Sequence, residues 1–459
     1  MFFREILNED LGCASYIVAD GGEAVVVDPR WAIEEYLEIA EEGGFEITRI
    51  LETHNHADHV SGRGRLVEAT GAKIHISHEA GVDYEHEPLE DGDVIEVGGV
   101  RIAAIATPGH RPEHMAFLIE ETSRAEEPWL LLTGDSLFVG DLARPDLAVE
   151  PEEGARGLFR SLRKLDGLQD FVEIRPGHIG GSLCGGAGMS QKPDSTIGFE
   201  RRYNDYLRIN DEEEFVRTLA REQAPQPPNF ERIVELNRGP LLRAGATVEP
   251  LSPRRVRELV GEGAVVIDGR DQREFYAAHV PGSVNVTMNQ SGVGTRAAWV
   301  VDPESAVIVA AGGDEDARRM ACMLEAVGFR NLRGYLSGGL VSWRAAKLEI
   351  ETTPAIDVPA LAERIKKGEI TLLDVREEDE WKAGHVEGSI HAPYRTLRDG
   401  VPEEIRDAHG PLAVACTGGI RSSLAASLLK RAGVNNVEQV ADGGVPMLPA
   451  EGIELVEGG

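Results

Sequence analysis

Residues 53–62 read THNHADHVSG, and this stretch decides the reading of the first half of the chain. Three histidines and an aspartate fall between His54 and His59. A lone histidine is ordinarily a structural residue, but H-x-H-x-D-H directly after the β-like run ITRILET is hard to account for without a metal ion. Imidazoles supply neutral nitrogen ligands and a carboxylate supplies an anionic one, a set that suits a borderline divalent ion with open positions.

Further apolar runs end in the same manner. VRIAAIATPG runs into His110, PWLLLTG into Asp135 and FVEIRPG into His178, while SYIVA and AVVVD flank Asp20-Gly21-Gly22, a hairpin signal. Side chains held at the ends of packed strands sit on a rigid scaffold and stay open to substrate. Four strand ends are therefore expected to build one site.

Between about 222 and 251 the text changes to the proline-rich EQAPQPPNF and VEPLSP, which mark a boundary. Beyond it the sequence repeats: VVIDGRDQREFYAAHVPGSVNV from 265 resembles TLLDVREEDEWKAGHVEGSIHA from 371. Asp268 pairs with Asp374, Arg270 with Arg376, Glu274 with Glu380, His279 with His385 and Gly282 with Gly388, all at one offset. That offset still aligns Gly312-Gly313 with Gly418-Gly419 and slips by one residue only at Gly338-Gly339 against Gly443-Gly444. Each copy alternates β-like runs (AVIVAA, PLAVAC) with helical ones (DARRMACMLEAVG, RSSLAASLLKRAG), so two copies of one α/β domain are expected.

The metal motif, with His110, Asp135 and His178 at strand ends, resembles the metallo-β-lactamase superfamily over roughly residues 1–240, which implies an αββα fold. Two branches compete. Glyoxalase II hydrolases use two metals to activate water against a thioester; persulfide dioxygenases keep a single iron on two histidines and one aspartate. All seven ligand types are present, so counting them leaves both open. GDLARPDL (140–147) resembles the G-R-P-D segment of the dioxygenases, with Ala143 where glycine is usual, and GSLCGGAGMSQKPDSTIGFERRYN (181–204) resembles their long loop. That resemblance implies one Fe(II) per chain on His54, His110 and Asp135, with His56, Asp58, His59 and His178 orienting the ligands. The hydrolase alternative implies two zinc ions or mixed metals. Arg144 is a candidate neighbour for an anionic substrate, a salt bridge being the plainer role, and Cys184 is a candidate for persulfide delivery, a buried thiol being the plainer one.

CTGGIRS, residues 416–422, lies between LAVA and a helix. In such a loop backbone N–H groups and the helix N-terminus point at the sulfur and stabilise a thiolate or persulfide anion, and Arg421 adds positive charge. This resembles the C-x-x-G-x-R loop of rhodaneses, so Cys416 and Arg421 are the expected catalytic pair. The offset of the repeat sets Ala310 opposite Cys416, Glu315 opposite Arg421 and Asp316 opposite Ser422, which makes the first copy a degenerate rhodanese, a spacer or docking surface. Cys322 lies mid-helix and reads as core.

The expected architecture is an α/β multidomain chain: an αββα metal domain over 1–245, a degenerate rhodanese-like domain over 252–350 and an active one over 355–459. The expected activity is oxidation of a low-molecular-weight persulfide by O₂ to sulfite and thiol, coupled to sulfur transfer through thiosulfate, in sulfide detoxification. The alternatives are a thioester hydrolase with an accessory sulfurtransferase, and a non-catalytic persulfide-binding or regulatory module whose metal is structural. The 459 residues exceed one core. A net charge of −32, spread along the chain, argues against nucleic acid. The four cysteines, Cys13, Cys184, Cys322 and Cys416, form no C-x-x-C pair and suggest no disulfide framework. No run approaches the ~20 apolar residues of a membrane span, and MFFREILNEDLGC lacks a basic region followed by an apolar stretch. A cytoplasmic protein is expected, with a homo-oligomer left open.

Overall fold

The structure is a computed structural model that describes every residue except Glu126, Ala187, Glu222, His409 and Gly459. Ala187 of the 181–204 loop and Glu222 at the start of the proline-rich connection thus lie outside the described residues. Two compact units emerge: Met1–Gly245 with Ala326–Gly328, and Ala246–Glu325 with Phe329–Gly459.

The first unit is built on two six-stranded sheets. The strand Cys13–Asp20 shows why they form. Ala14, Tyr16 and Val18 face the core between the sheets, while Ile17 and Ala19 face the opposite side, against the helices Glu34–Gly43 and Arg63–Thr70. A strand buried on both faces reads as one continuous apolar run, and SYIVA does. Its hairpin to Glu23–Val27 is closed by two glycines at φ +62° and +89°, the left-handed pair that a two-residue turn of this hand requires. The second sheet, carrying Met115–Glu121 and Leu130–Gly134, buries its outer face against Pro151–Lys164 and Glu212–Leu219. Helices outside and sheets inside give the αββα order.

Long-range polar ties hold the strand ends together. The Tyr16 ring fills the inter-sheet core and its hydroxyl donates to the Pro176 carbonyl at 2.6 Å. Ala14 N–H donates to Gly177 O at 2.7 Å, and Gly177 N–H to Gly134 O at 2.8 Å. Loss of one such buried bond costs about 1 kcal/mol, and here it would also loosen the strand end that carries His178.

The second unit holds two five-stranded parallel sheets of identical strand order. The first runs Pro250–Leu251, Leu332–Leu336, Val307–Ala310, Val265–Asp268, Val284–Asn285; the second runs Ala355–Ile356, Val437–Val440, Leu412–Ala415, Thr371–Asp374, Ile390–His391. Among the described residues no helix is long and apolar enough to cross a membrane.

The register of these sheets corrects the alignment read from sequence. Asp268 lies beside Ala310, whereas Asp374 lies beside Ala415. Gly269 N–H meets Ala310 O just as Val375 N–H meets Ala415 O. The one-residue slip therefore falls before Val307, upstream of the loop, and Ala311 rather than Ala310 stands where Cys416 stands. Asp314 then replaces Gly419, and Asp316 replaces Arg421.

Candidate metal centre and sulfur-transfer loop

The metal candidates converge through their hydrogen bonds. Asp28 accepts from Thr53 N–H at 2.7 Å and from the Thr53 hydroxyl at 2.8 Å. With that hydroxyl proton already given, the 2.9 Å contact between Thr53 Oγ1 and His54 Nδ1 requires the imidazole to be the donor. His110 Nδ1 likewise donates to the Arg144 carbonyl at 3.0 Å. Each ring is left with a lone pair on Nε2. Asp135 Oδ1 accepts from His178 Nδ1 at 2.8 Å, which leaves Oδ2.

Those three remaining atoms face one another. Asp135 Oδ2 lies 3.9 Å from His54 Nε2 and 3.5 Å from His110 Nε2, and all three are buried without a hydrogen-bond partner. Three acceptor lone pairs converging in a dry site repel unless a cation lies between them, and an unpaired buried polar group costs about 1–3 kcal/mol. The donor set therefore fits a metal ion. Protonation agrees: burial and the nearby His56 hold His54 neutral far below the usual imidazole range, and burial lowers His110 as well. Against the cost of burial, His178 keeps the Asp135 carboxyl down to about 2.

The other motif residues are engaged differently. His178 donates from Nδ1 to Asp135 and from Nε2 to Asp58 Oδ2 at 2.9 Å, so both nitrogens carry protons; despite burial, the two carboxylates hold it charged. His56 Nε2 lies 3.1 Å from Asp28 and 3.4 Å from Glu52, which push it up to about 10 in spite of burial. His59 Nδ1 lies 3.1 Å from Asp58 Oδ1, and its Nε2 has no hydrogen-bond partner. His56, Asp58 and His59 form a second group with ligand atoms within 4.8 Å of one another.

Arg144 and Cys184 lie in the same loop region. The Arg144 guanidinium is buried and paired with Asp146 through two bonds of 2.7 Å, with a third to Ala224 O at 2.8 Å. A guanidinium so engaged is a strut, and the residue reaches the centre through its carbonyl instead. Its N–H donates to Cys184 O at 2.9 Å. Cys184 is buried beside Asp135 and His178, and burial pushes its thiol up to about 12, which leaves it a neutral thiol.

Three participants escaped the sequence reading. His114 accepts the Asp135 N–H on Nε2 at 2.9 Å, and burial takes it down to about 3. Gly134 beside it is required, since a Cβ there would lie 2.6 Å from that nitrogen and its φ is +51°. The spacing H-x-x-x-H from His110 to His114 was the available signal. Asp28 holds a left-handed φ of +49°, rare for a residue with a side chain, and spends that strain binding Thr53. Asn237 donates to the carbonyls of His56 and His59 at 2.9 and 2.8 Å; nothing local in sequence marks it.

The sulfur loop follows the strand Leu412–Ala415. Gly419, at φ +97°, turns its N–H onto Cys416 Sγ at 3.1 Å, and Ser422 Oγ lies 3.5 Å from the sulfur at the first turn of the helix Ile420–Arg431. Cys416 is buried. Arg421 does not act as a bare charge: it pairs with Glu380, donating to Oε1 at 2.8 Å, and donates to Thr417 Oγ1 at 2.8 Å. The matched Asp-x-Arg positions are a clamp in both copies, Arg376 gripping Asp374 and Gly384 O, and Arg270 gripping Asp268 and Ala278 O. At the matched loop positions of the first copy Ala311, Asp314 and Asp316 stand in place of the sulfur, the left-handed glycine and the arginine. Asp314 instead accepts from Gly338 N–H at 2.8 Å.

An αββα unit whose strand ends present clustered metal donors, together with paired parallel-sheet domains of which one carries a cysteine cradle, defines a metallo-β-lactamase-type protein with tandem rhodanese-like domains. Residues 8–178 match the metallo-β-lactamase superfamily, and residues 252–346 and 357–447 match the rhodanese-like domain. The chain belongs to the metallo-β-lactamase superfamily and carries two rhodanese-like domains. It is 30% identical over 213 residues to the hydroxyacylglutathione hydrolase of Chromohalobacter salexigens, which covers 41% of this chain and 78% of that relative. To the mitochondrial persulfide dioxygenase of Bos taurus it is 28% identical over 256 residues, 54% of this chain and 91% of that one. A metallo-beta-lactamase crystal structure from Staphylococcus aureus subsp. aureus COL matches with a TM-score of 0.66 at 28% identity, covering 73% of this chain and 99% of that one.

Proposed function

We propose that this chain is a cytoplasmic persulfide dioxygenase fused to a sulfurtransferase, with the metal chemistry in 1–245, a degenerate rhodanese-like domain in 252–350 and the sulfur carrier in 355–459. The observation that carries the reading is the convergence of His54 Nε2, His110 Nε2 and Asp135 Oδ2 alone, while His178 is taken up by two carboxylates and His56 faces Asp28. Two histidines and one carboxylate suit one ferrous ion with open positions. Bound there, ferrous iron supplies the redox chemistry that lets a persulfide react with O₂.

This chain's own residues hold the reaction in place. His178 keeps Asp135 ionised and fixes its free oxygen, Thr53 and the Arg144 carbonyl set the tautomers of His54 and His110, and the burial of all of them excludes water. One persulfide, one O₂ and one water give one thiol, one sulfite and two protons. At Cys416 the thiolate attacks the outer sulfur of thiosulfate; a new S–S bond forms, the old one breaks and its electron pair leaves on sulfite. Run backwards, the step consumes sulfite and a Cys416 persulfide to give thiosulfate. A low-molecular-weight persulfide, O₂, sulfite and thiosulfate are thus the proposed small-molecule partners.

The group of His56, Asp58 and His59 and the likeness to a hydroxyacylglutathione hydrolase favour a second reading, a two-metal thioester hydrolase. Metal content of protein purified without added zinc, measured beside an oxygen electrode, separates the two. About one iron per chain with persulfide-dependent O₂ uptake supports the dioxygenase; two metals and thioester cleavage without O₂ overturn it.

A further inference from the structure

Gln439 is fully buried on the strand Val437–Val440, where it pairs with Val414 on one side and Ala355 on the other. An apolar residue would suit that position better. Among the described residues the glutamine Oε1 has no hydrogen-bond partner, and a buried polar atom left in that way lowers stability. Two carbonyls fix the orientation of the amide. Its Nε2 faces Gly419 O at 3.1 Å and Val440 O at 3.3 Å, where an oxygen would meet only acceptors.

The nitrogen end engages the two residues that touch the Cys416 sulfur. Gly419 N–H lies 3.1 Å from Sγ and Ser422 Oγ lies 3.5 Å from it. A carbonyl oxygen has two lone pairs, and at Gly419 one accepts Ser423 N–H at 3.0 Å and the other accepts Gln439 Nε2–H. The second amide N–H donates to Ser422 Oγ at 2.7 Å. The Ser422 hydroxyl lies 3.0 Å from the same Gly419 carbonyl, but that acceptor is already filled. Its proton is thereby left to the sulfur, which once ionised can only accept. The first copy supports the link between amide and sulfur. By strand register Tyr335 stands where Gln439 stands, pairing with Val309 and Pro250, and its hydroxyl accepts from Arg318 at 2.8 Å. Where Ala311 takes the place of the sulfur, and Ala317 that of Ser422, the amide is replaced by a phenol engaged elsewhere.

We propose that Gln439 is a positioning residue of the sulfur-transfer site: it fills the Gly419 carbonyl and holds Ser422 Oγ, so that the serine proton is directed onto the Cys416 sulfur beside Gly419 N–H. This rests on the reading of Cys416 as a sulfur carrier. Gln439 itself touches no substrate and moves no proton. The two donors act when the carried sulfur leaves: a nucleophile such as sulfite or cyanide bonds to the outer sulfur, the S–S bond breaks, and its electron pair returns to Sγ. There the donors meet the growing charge in a buried loop, where such bonds are stronger than in water. Without the amide, the serine proton turns to the vacated lone pair of the Gly419 carbonyl. The loop then stays satisfied while the sulfur keeps one donor instead of two.

The test uses the full chain, with thiosulfate as donor and cyanide as acceptor. Wild type, Gln439→Met, Ser422→Ala and the double variant are compared for kcat and KM, for thermal midpoint, and for added sulfur on the Cys416 peptide by mass spectrometry. Methionine keeps the length of the side chain and removes the amide together with its unpartnered oxygen, so the thermal midpoint should match or exceed that of wild type. In the same variant kcat should fall about five-fold, the size of one hydrogen bond, with KM for thiosulfate unchanged. In the Ser422→Ala background the Gln439→Met change should lower kcat by less than about two-fold, because the proton that the amide directs is gone. Equal losses in both backgrounds, or a midpoint well below wild type, overturn the proposal in favour of a purely structural role. An unchanged kcat in Gln439→Met overturns it and leaves the sulfur-carrier reading standing. Absence of added sulfur on Cys416 in the wild type overturns both.

Discussion

Arg144 meets His110 through its backbone: the imidazole Nδ1–H donates to the Arg144 carbonyl at 3.0 Å, while the guanidinium grips Asp146. The charged end therefore sets the position of a carbonyl, and the carbonyl sets the tautomer of a ring in the candidate metal centre.

Arg144→Leu should for that reason act on stability and metal together. It leaves Asp146, whose side chain is only 17% exposed, without its partner. Breaking a buried pair of this kind costs about 3 kcal/mol. Loosened support of a ligand histidine weakens metal binding on the order of ten-fold or more. Denaturant midpoints and metal content after dialysis check both; a fall in O₂ uptake with stability and metal unchanged would point back to direct substrate binding.

His110→Ala and Asp135→Ala should abolish persulfide-dependent O₂ uptake and leave thiosulfate:cyanide sulfur transfer intact, because the metal candidates and Cys416 belong to different compact units. Cys416→Ser should do the reverse, keeping O₂ uptake and shifting the products from thiosulfate toward free sulfite. Ion chromatography, with non-enzymatic coupling controlled, reads the second half. Loss of both activities in a folded single variant contradicts the division.

Restoring one sulfur atom should not revive the first copy. The register sets Ala311, not Ala310, opposite Cys416, and Asp314 and Asp316 opposite Gly419 and Arg421. Ala311→Cys, in a Cys416→Ser background, would surround its thiol with carboxylates that disfavour a thiolate or persulfide. Only Ala311→Cys with Asp314→Gly and Asp316→Arg should give measurable cyanide-dependent transfer, and that weakly. Brisk turnover by Ala311→Cys alone would defeat this electrostatic account.

The Arg421–Glu380 pair predicts a pH window. Burial opposes ionisation of Glu380, but Arg421 and Thr417 hold its carboxyl down to about 2, from an ordinary 4.5. A carboxyl depressed by folding adds stability that is complete above its ordinary value and is lost as pH falls toward the folded one. The difference in thermal midpoint between wild type and Glu380→Gln should hence be constant from neutral pH down to about 5 and shrink below that. A difference that grows on acidification would mean the pair is not what Glu380 contributes.

The αββα order and the tandem repeat were legible because they rest on local pattern. SYIVA is apolar on both faces, the Asp20-Gly21-Gly22 turn needs left-handed residues, and the 265 and 371 segments share motif residues at one spacing. THNHADH announced metal for the same reason, since its donors are neighbours in the chain. Which of seven donors would face one another was not legible. That depends on Asp28 taking the Thr53 proton, on Arg144 offering a carbonyl, and on Asp58 and Asp135 sharing His178, all of them contacts between segments far apart in sequence. The slipped repeat offset was hidden because Gly312-Gly313 matches Gly418-Gly419 at the earlier spacing, although the strand register sets Gly313 opposite Gly418 and strand pairing admits one register. The sequence by itself thus determined the elements and the supply of reactive side chains, through periodicity and local spacing. Only the tertiary structure decided which lone pairs stay free and which charges are cancelled, because hydrogen-bond saturation and burial are properties of packed neighbours and not of the chain order.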